Sequence, residues 1–147
     1  MSEVIDHATL TFHVTPGYGV TARDLLGYSQ AVRIGDRVET SGQGGWNDDL
    51  VVVEDLEQEI VQAFDNVGRT LAEAGATWVD VVHVNSYHKV EPGAEAIGDE
   101  HNRVMVREFR NRLGGRAPVW TQTGVTVLGL ATMRIEIRVT ALVGSAG

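Results

Sequence analysis

The stretch GYSQAVRIGDRVETSGQ, residues 27–43, decides the fold because it contains a complete β-hairpin pattern. Two runs of β-branched and polar residues flank Gly35–Asp36, a pair that is typical of a two-residue hairpin turn. The second run then enters the glycine-rich segment 42–45, directly before Trp46. Glycine costs about 0.5–1 kcal/mol in a regular element. We therefore expect this segment either to form a bulge and turn or to bring backbone N–H groups close to a bound anion.

Downstream of the hairpin, helix and strand patterns alternate. Apolar residues recur every three or four positions over residues 53–75, the period of an amphipathic helix, and Gly75 suits its C-terminal cap. Strict alternation of apolar and polar residues predicts that the last strand is half-buried. The predicted elements are helices at 53–75 and 96–113 and strands at 78–88, 118–128 and 133–143.

Upstream of the hairpin the pattern is less regular. Residues 7–15 favour an additional edge strand, and residues 14–27 favour a loop or a short helical turn. The element order β-β-α-β-α-β-β predicts a single α+β domain over residues 1–147, with two helices on one face of a mixed sheet. The other face would then expose Val and Trp side chains, and an apolar face of that size indicates an oligomer interface.

Composition excludes several classes of protein. The 147 residues carry a net charge of −8, which argues against a nucleic-acid-binding surface. There is no apolar run of the length that a membrane span needs and no secretory signal pattern. Cysteine is absent, which excludes disulfides and thiolate chemistry, and we expect a reducing, cytoplasmic setting.

Taken together, four segments resemble the Rid proteins, also called the YjgF-like or RidA-like family. They are the hairpin segment 27–43, AFDNVGRTLAEAGATWVDVV at 63–82, the Asn102 of EHNRV, and RIEIRVTALV at 134–143. The resemblance implies a chorismate-mutase-like fold and a homotrimer with small-molecule clefts between subunits. It also implies hydrolysis of reactive enamines and imines to 2-oxo acids with release of ammonia, without a metal or an organic cofactor.

The resemblance implies that Tyr28, Ser41, Asn102 and Glu136 line the cleft, with backbone amides of the glycine-rich segment and of the strand 119–127, and the sequence itself suggests further residues near them. Those expected to be catalytic are Glu136, Tyr28 and Asn102. Those expected to bind the substrate are Ser41, Gly42, Gly44, Trp46, Trp120, Gln122, Gly124, His88 and His101.

The sequence departs from the family at one position. Deaminating members carry an Arg in a Pro-x-Arg-Ser segment that binds the substrate carboxylate, whereas this chain reads APVWTQTGV, and alignment on GVTV places Gln122 there. A neutral amide cannot match the charge or the fork geometry of Arg. We therefore expect a substrate that differs from simple 2-imino acids.

Glu136 has two interpretations. It lies between Arg134 and Arg138 on the polar side of its strand, so it is either a solvated surface acid or a carboxylate that the two arginines keep ionised and able to orient water. The five histidines show no pairing typical of a metal site, so no metal is expected, and His88 or His101 is expected at most to reach the cleft.

Two functions remain open at the level of sequence. The first is a Rid-like hydrolase or deaminase that acts on a small enamine, imine or related C=N compound. The second is a non-catalytic trimer of the same family that binds a metabolite or another protein. Ribonuclease activity is disfavoured by the charge of −8.

Overall fold

The predicted hairpin is present in the computed structural model, which describes residues 9–146, and it forms the centre of one half of the sheet. Its strands pair antiparallel across the Gly35–Asp36 turn, and Gly35 has a positive φ of 59°. The elements are β1 (Leu10–His13), α1 (Tyr18–Leu26), β2 (Ala31–Ile34), β3 (Arg37–Thr40), α2 (Leu56–Glu73), β4 (Val81–Lys89), α3 (Asp99–Arg112), β5 (Val119–Val125) and β6 (Ile135–Leu142).

The six strands form one mixed sheet in the order β1-β2-β3-β6-β4-β5. Only β4 and β5 are parallel, and α3 is the connection between them. β6 inserts between β3 and β4 and pairs antiparallel with both. The last strand in the sequence is therefore central, and both of its neighbours fix the direction of its side chains.

Helices α2 and α3 cover one face of the sheet, as predicted. The α2 helix starts at Asp55, whose carboxylate accepts the Gln58 backbone N–H at 3.0 Å, and ends before Gly75, which has a φ of 82°. The core between helices and sheet is aliphatic and aromatic. Its fully buried members include Ile60, Phe64, Val67 and Leu71 from α2, Met105 from α3, and Ile135 and Ile137 from β6.

The sequence pattern predicts two helices and leaves residues 14–27 open between a loop and a short helical turn, and the structure has a third helix there. The described part of the chain has three α-helices, because Tyr18–Leu26 forms α1. This helix is fixed by tertiary contacts of its first residue. The Tyr18 side chain is 1% exposed, its hydroxyl donates to Gln43 Oε1 at 2.6 Å, and its ring packs edge-on against Trp46. Local periodicity does not reveal contacts of this kind.

The open face of the sheet is less apolar than predicted. Exposed apolar side chains lie at its two edges, with Phe12 on β1 and Val119 on β5, whereas its centre carries polar residues such as Asn85 and Arg138. Trp120 does not belong to this face. It points to the opposite side, where its ring packs edge-on against Phe109 of α3 with centroids 5.0 Å apart.

None of the helices between residues 9 and 146 has both the length and the apolar character that a membrane crossing requires.

Candidate active site

Glu136 lies on the open face of the sheet, as the alternation of its strand predicts. Its neighbours Ile135 and Ile137 are fully buried under the helices. The Glu136 carboxylate lies against the backbone of Gly42, so that a Cβ atom at position 42 would overlap Glu136 Oε1. Glycine at position 42 is therefore required for the close approach of a charged side chain, not for a special backbone angle.

The two neighbouring arginines do not keep Glu136 ionised, and the expectation that they do is wrong. Arg134 turns to Glu59, with Nε 2.7 Å from Oε1 and its backbone N–H 2.8 Å from Oε2. Arg138 donates to Glu39 at 2.6 Å. Both guanidinium groups therefore form ion pairs with carboxylates other than that of Glu136.

No hydrogen bond to the Glu136 carboxyl exists among residues 9–146. Burial raises its pKa above that of an ordinary glutamate. The pKa of the neighbouring Tyr28 hydroxyl is raised as well, mainly by burial and further by the charge of Glu136. An acid without a hydrogen-bond partner and with a raised pKa is suited to exchange a proton with a ligand.

Glu136 and Tyr28 lie beside a cavity of about 140 Å³. We call it the Glu136 cavity. Its remaining walls are predominantly apolar. They include Ala22, Leu26, Trp46, Leu50, Leu130 and Met133.

The glycine-rich segment 42–45 positions Trp46 at this cavity. A Cβ atom at Gly44 would lie 2.5 Å from Trp46 Cζ3, and one at Gly45 would overlap the backbone carbonyl of Glu59 in α2. None of these glycines has a positive φ. Close packing of the segment against an indole ring and a helix therefore accounts for Gly44 and Gly45.

Ser41 lies beside Gly42 and belongs to a buried polar network. Its hydroxyl donates to the Gln30 carbonyl at 3.3 Å and accepts from Gln43 Nε2 at 3.1 Å. Since Gln43 also accepts the Tyr18 hydroxyl, this network connects α1 to the strand that leads into the cavity.

A second group of expected site residues assembles elsewhere, between β4, β5 and α3. Gln122 Nε2 donates to Asn102 Oδ1 at 2.6 Å and lies 3.4 Å from His88 Nε2. His88 Nδ1 is 2.9 Å from His101 Nδ1. Gly124 follows on the same face of β5 by the strand period of two. We call this group, with Ser86 and Trp120, the Gln122 cluster.

The tautomer of His88 can be assigned from the side chains around its Nε2 atom. Trp120 can only donate, and it donates to Ser86 Oγ at 2.9 Å. Gln122 Nε2, an amide donor, lies 3.4 Å from His88 Nε2, so we assign that ring nitrogen as an acceptor. In this tautomer the Ser86 hydroxyl donates to His88 Nε2 at 2.7 Å, and His88 Nδ1–H donates to His101 Nδ1 at 2.9 Å.

Both histidines of this cluster favour the uncharged state. Burial, with a smaller contribution from the charge of His101, lowers the pKa of His88 to about 3. Burial also lowers the pKa of His101. The Gln122 cluster is therefore a hydrogen-bonded but uncharged surface, and His88 itself is fully buried beneath it.

The two groups lie on opposite faces of the same sheet. Tyr87 of β4 pairs with Glu136 on one side and Thr123 on the other, while Ser86 pairs with Gln122. Successive residues of a strand point to opposite faces, so Glu136 and Gln122 cannot meet within one chain. A single subunit holds the expected site residues as two separate halves.

Sequence reasoning did not find several residues of these two groups. Leu50 and Met133 lack any local signal, because only the tertiary fold brings their loops to Glu136. Ser86 was detectable in principle, since it lies two residues before His88 on a strand and must therefore share its face.

Comparisons with known proteins agree with the fold. Residues 21–143 match the family model described as endoribonuclease L-PSP. The RutC family protein YjgH of Escherichia coli K12 is 36% identical over 116 residues, which are 78% of this chain and 81% of YjgH. A solved structure of protein YjgH gives a TM-score of 0.72 at 31% identity and covers 93% of this chain and 97% of its own.

Two further relatives are informative. A Mycobacterium tuberculosis crystal structure, described as a member of the YjgF/YER057c/UK114 family, has a TM-score of 0.72 at 25% identity and covers 92% of this chain and 100% of its own. A Dermatophagoides farinae protein named 2-iminobutanoate/2-iminopropanoate deaminase is 35% identical over 94 residues, 63% of this chain and 70% of that protein.

Proposed function

This chain belongs to the endoribonuclease L-PSP family, which includes the YjgF and Rid proteins, and we propose that it is a cofactor-free hydrolase or deaminase of a small imine or enamine. The observation that carries the proposal is the Glu136 carboxyl group. It lies beside an apolar cavity, has no hydrogen-bond partner among residues 9–146, and has a raised pKa. A partly buried carboxyl group that makes no hydrogen bond within the fold is free to interact with a ligand.

The chemistry that this carboxylate supports is addition of water to a C=N bond. Glu136 takes a proton from water as the water oxygen bonds to the imine carbon, and the C=N π electrons move to nitrogen. Glu136 then returns the proton to that nitrogen. In the resulting carbinolamine, Glu136 takes the hydroxyl proton and passes it to the amino nitrogen. The C–N bond then breaks, ammonia leaves with the bonding electron pair, and the oxygen forms the C=O bond. Tyr28, which is 36% exposed, lines the same cavity, and we assign its hydroxyl as the donor to the substrate nitrogen or the forming hydroxyl.

The proposal requires the second half of the site to come from another subunit. Because Glu136 and Gln122 point to opposite faces of one sheet, a cleft that contains both needs two copies of the chain. A homotrimer with a heterologous interface would bring the Glu136 cavity of one subunit to the Gln122 cluster of the next, three times around a closed ring. In this arrangement Asn102 faces the substrate from across the interface.

The uncharged Gln122 cluster supports a substrate other than a simple 2-imino acid. A carboxylate buried against it would meet an amide, two neutral imidazoles and an indole rather than a guanidinium group. Trp120 and Gln122 share one face of β5, and neither side chain carries a charge. We propose that the substrate has a neutral polar group, or none, at this position.

Nucleolytic activity, which the family description names, is not the function we propose. The chain has a net charge of −8, and the arginines 103, 107 and 112 of α3 are paired with acids. A phosphate backbone needs free cationic groups in a contiguous patch.

The experiment that tests the proposal is ammonia release above the spontaneous rate, measured on a panel of imines with and without a carboxylate. We expect acceleration for carboxylate-free imines and its loss in Glu136→Gln. A ligand that binds at the cavity while no imine is turned over would instead favour the alternative, a metabolite-binding trimer. The complete internal pairing of the Gln122 cluster is the observation that keeps this alternative open.

A further inference from the structure

We propose that the Glu136 cavity binds an apolar side chain of about the size of a benzene ring, and that Leu50 sets the upper limit of that size. The inference rests on the proposed function for its substrate class: imines or enamines that carry a branched alkyl or aryl group next to the reacting carbon. The binding of the apolar group itself does not depend on catalysis.

The volume of the cavity points to this size. It measures about 140 Å³. An apolar cavity of about 150 Å³ in another protein binds benzene and otherwise stays dry. Side chains of Ala22, Leu26, Leu130 and Met133 contribute apolar walls that cannot hydrogen-bond water well. An apolar group of the substrate is therefore the favoured occupant.

Leu50 enters this cavity at a conformational cost. It is the only residue other than glycine with a positive φ between residues 9 and 146, at 60°. The turn around it is held by Asn47, whose side-chain Oδ1 accepts the backbone N–H groups of Asp49 at 2.9 Å and Val51 at 3.0 Å. Glycine would adopt this angle without strain. A leucine held in a strained conformation at a ligand cavity indicates a functional use of its side chain.

The geometry places the apolar group next to the reacting carbon. Glu136 and Tyr28 line the same cavity as Leu50 and Trp46. A substrate whose C=N carbon meets the carboxylate thus directs its substituent between the indole and the leucine.

The first test measures binding without catalysis. Benzyl alcohol, ethanol and 2-naphthalenemethanol are titrated into the full-length protein, and backbone and indole amide shifts are followed by NMR. We expect benzyl alcohol to bind at least about tenfold more tightly than ethanol, with shifts centred on Leu50 and Trp46, because each buried methylene contributes about 0.8 kcal/mol. The larger naphthyl probe is expected to be excluded.

Leu50→Gly is the variant that tests the size limit. It relieves the positive φ and should leave the protein folded while opening the cavity. We expect it to admit 2-naphthalenemethanol. Val51→Gly is the matched control, since Val51 is the next residue, is 60% exposed and does not line the cavity. It should retain the selectivity of the unmodified chain.

A second test uses aldimines generated in place by a monoamine oxidase from propylamine and phenethylamine. Faster ammonia release from the phenethyl compound, by at least about tenfold, is expected from the cavity. If neither aldimine is turned over while benzyl alcohol binds at Leu50, the proposed function fails and the cavity inference stands. Equal binding of ethanol and benzyl alcohol, no binding of either, or unchanged selectivity in Leu50→Gly would overturn the inference.

Discussion

The Glu136 carboxylate and the Gly42 backbone occupy adjacent space so closely that position 42 has no room for a Cβ atom. The same holds for Gly45, but there the obstructing atom is the backbone carbonyl of Glu59 in α2. A side chain can move away at little cost, whereas the backbone of a packed helix cannot. The two glycines therefore have separable roles.

Gly42→Ala should displace the carboxylate and lower turnover by about tenfold or more, because misplacing a general base by an ångström has effects of this order. Its melting temperature should change little. Gly45→Ala should instead destabilise the fold by about 1–3 kcal/mol through overpacking against α2. Turnover and melting temperature are measured for both variants to test these separate roles. A large loss of stability in Gly42→Ala would contradict the role assigned to Gly42.

Glu136→Gln should cut turnover by about 10²-fold or more, the usual scale for loss of a general base. Unfolding gives an independent readout. The pKa of Glu136 is raised in the folded state, so between the pKa of the unfolded chain and that of the folded chain only the folded protein retains the proton. The contribution of Glu136 to the free energy of unfolding therefore falls as the pH rises through this interval. The glutamine variant should thus be more stable than the unmodified chain at neutral pH, with a smaller difference near pH 4. Unchanged turnover would reject a catalytic role.

Gln122→Arg should raise turnover of small 2-imino acids, because it supplies a cation to the otherwise uncharged cluster around Asn102 and His88. Gln122→Met is the control of similar length without charge, and it should not produce this gain. Ammonia release from imines generated from alanine measures the effect. A folded Gln122→Arg variant with no gain would mean that the carboxylate of such substrates does not reach this position.

The mass in solution should be three times the chain mass of 15.9 kDa. The reason is that the two halves of the candidate site face away from each other within one subunit. Light scattering after size exclusion at micromolar concentration measures the mass. A stable monomer would contradict both the proposed trimer and the proposed cleft between subunits.

The direction of the Glu136 side chain could be predicted from the sequence, whereas the partners of the neighbouring arginines could not. Glu136 was predicted to face away from the helices because successive residues of a regular strand point to opposite faces of the sheet. The prediction that Arg134 and Arg138 support it was wrong, because long side chains choose their partners in three dimensions, here Glu59 and Glu39.

Helix α1 and the walls of the Glu136 cavity show the limit of the same reasoning. The helix depends on the buried Tyr18, whose partners Gln43 and Thr70 are distant in sequence. No sequence pattern predicts the position of Leu50, because leucine rarely adopts the positive φ that it has here. Trp120 was expected to bind the substrate, whereas its register with Val84 turns it toward α3, where it packs against Phe109.

The most direct test of the account is subunit mixing between Glu136→Gln and Asn102→Ala. Each variant alone should be nearly inactive, since each damages one half of every cleft. If clefts join the Glu136 half of one subunit to the Asn102 half of the next, random mixing at equal ratio leaves about one quarter of clefts intact. Co-refolded mixtures should therefore regain about a quarter of the turnover of the unmodified protein, while mass measurement confirms that both subunits are present. Mixed oligomers that show no activity above that of the separate variants would contradict a site shared between subunits.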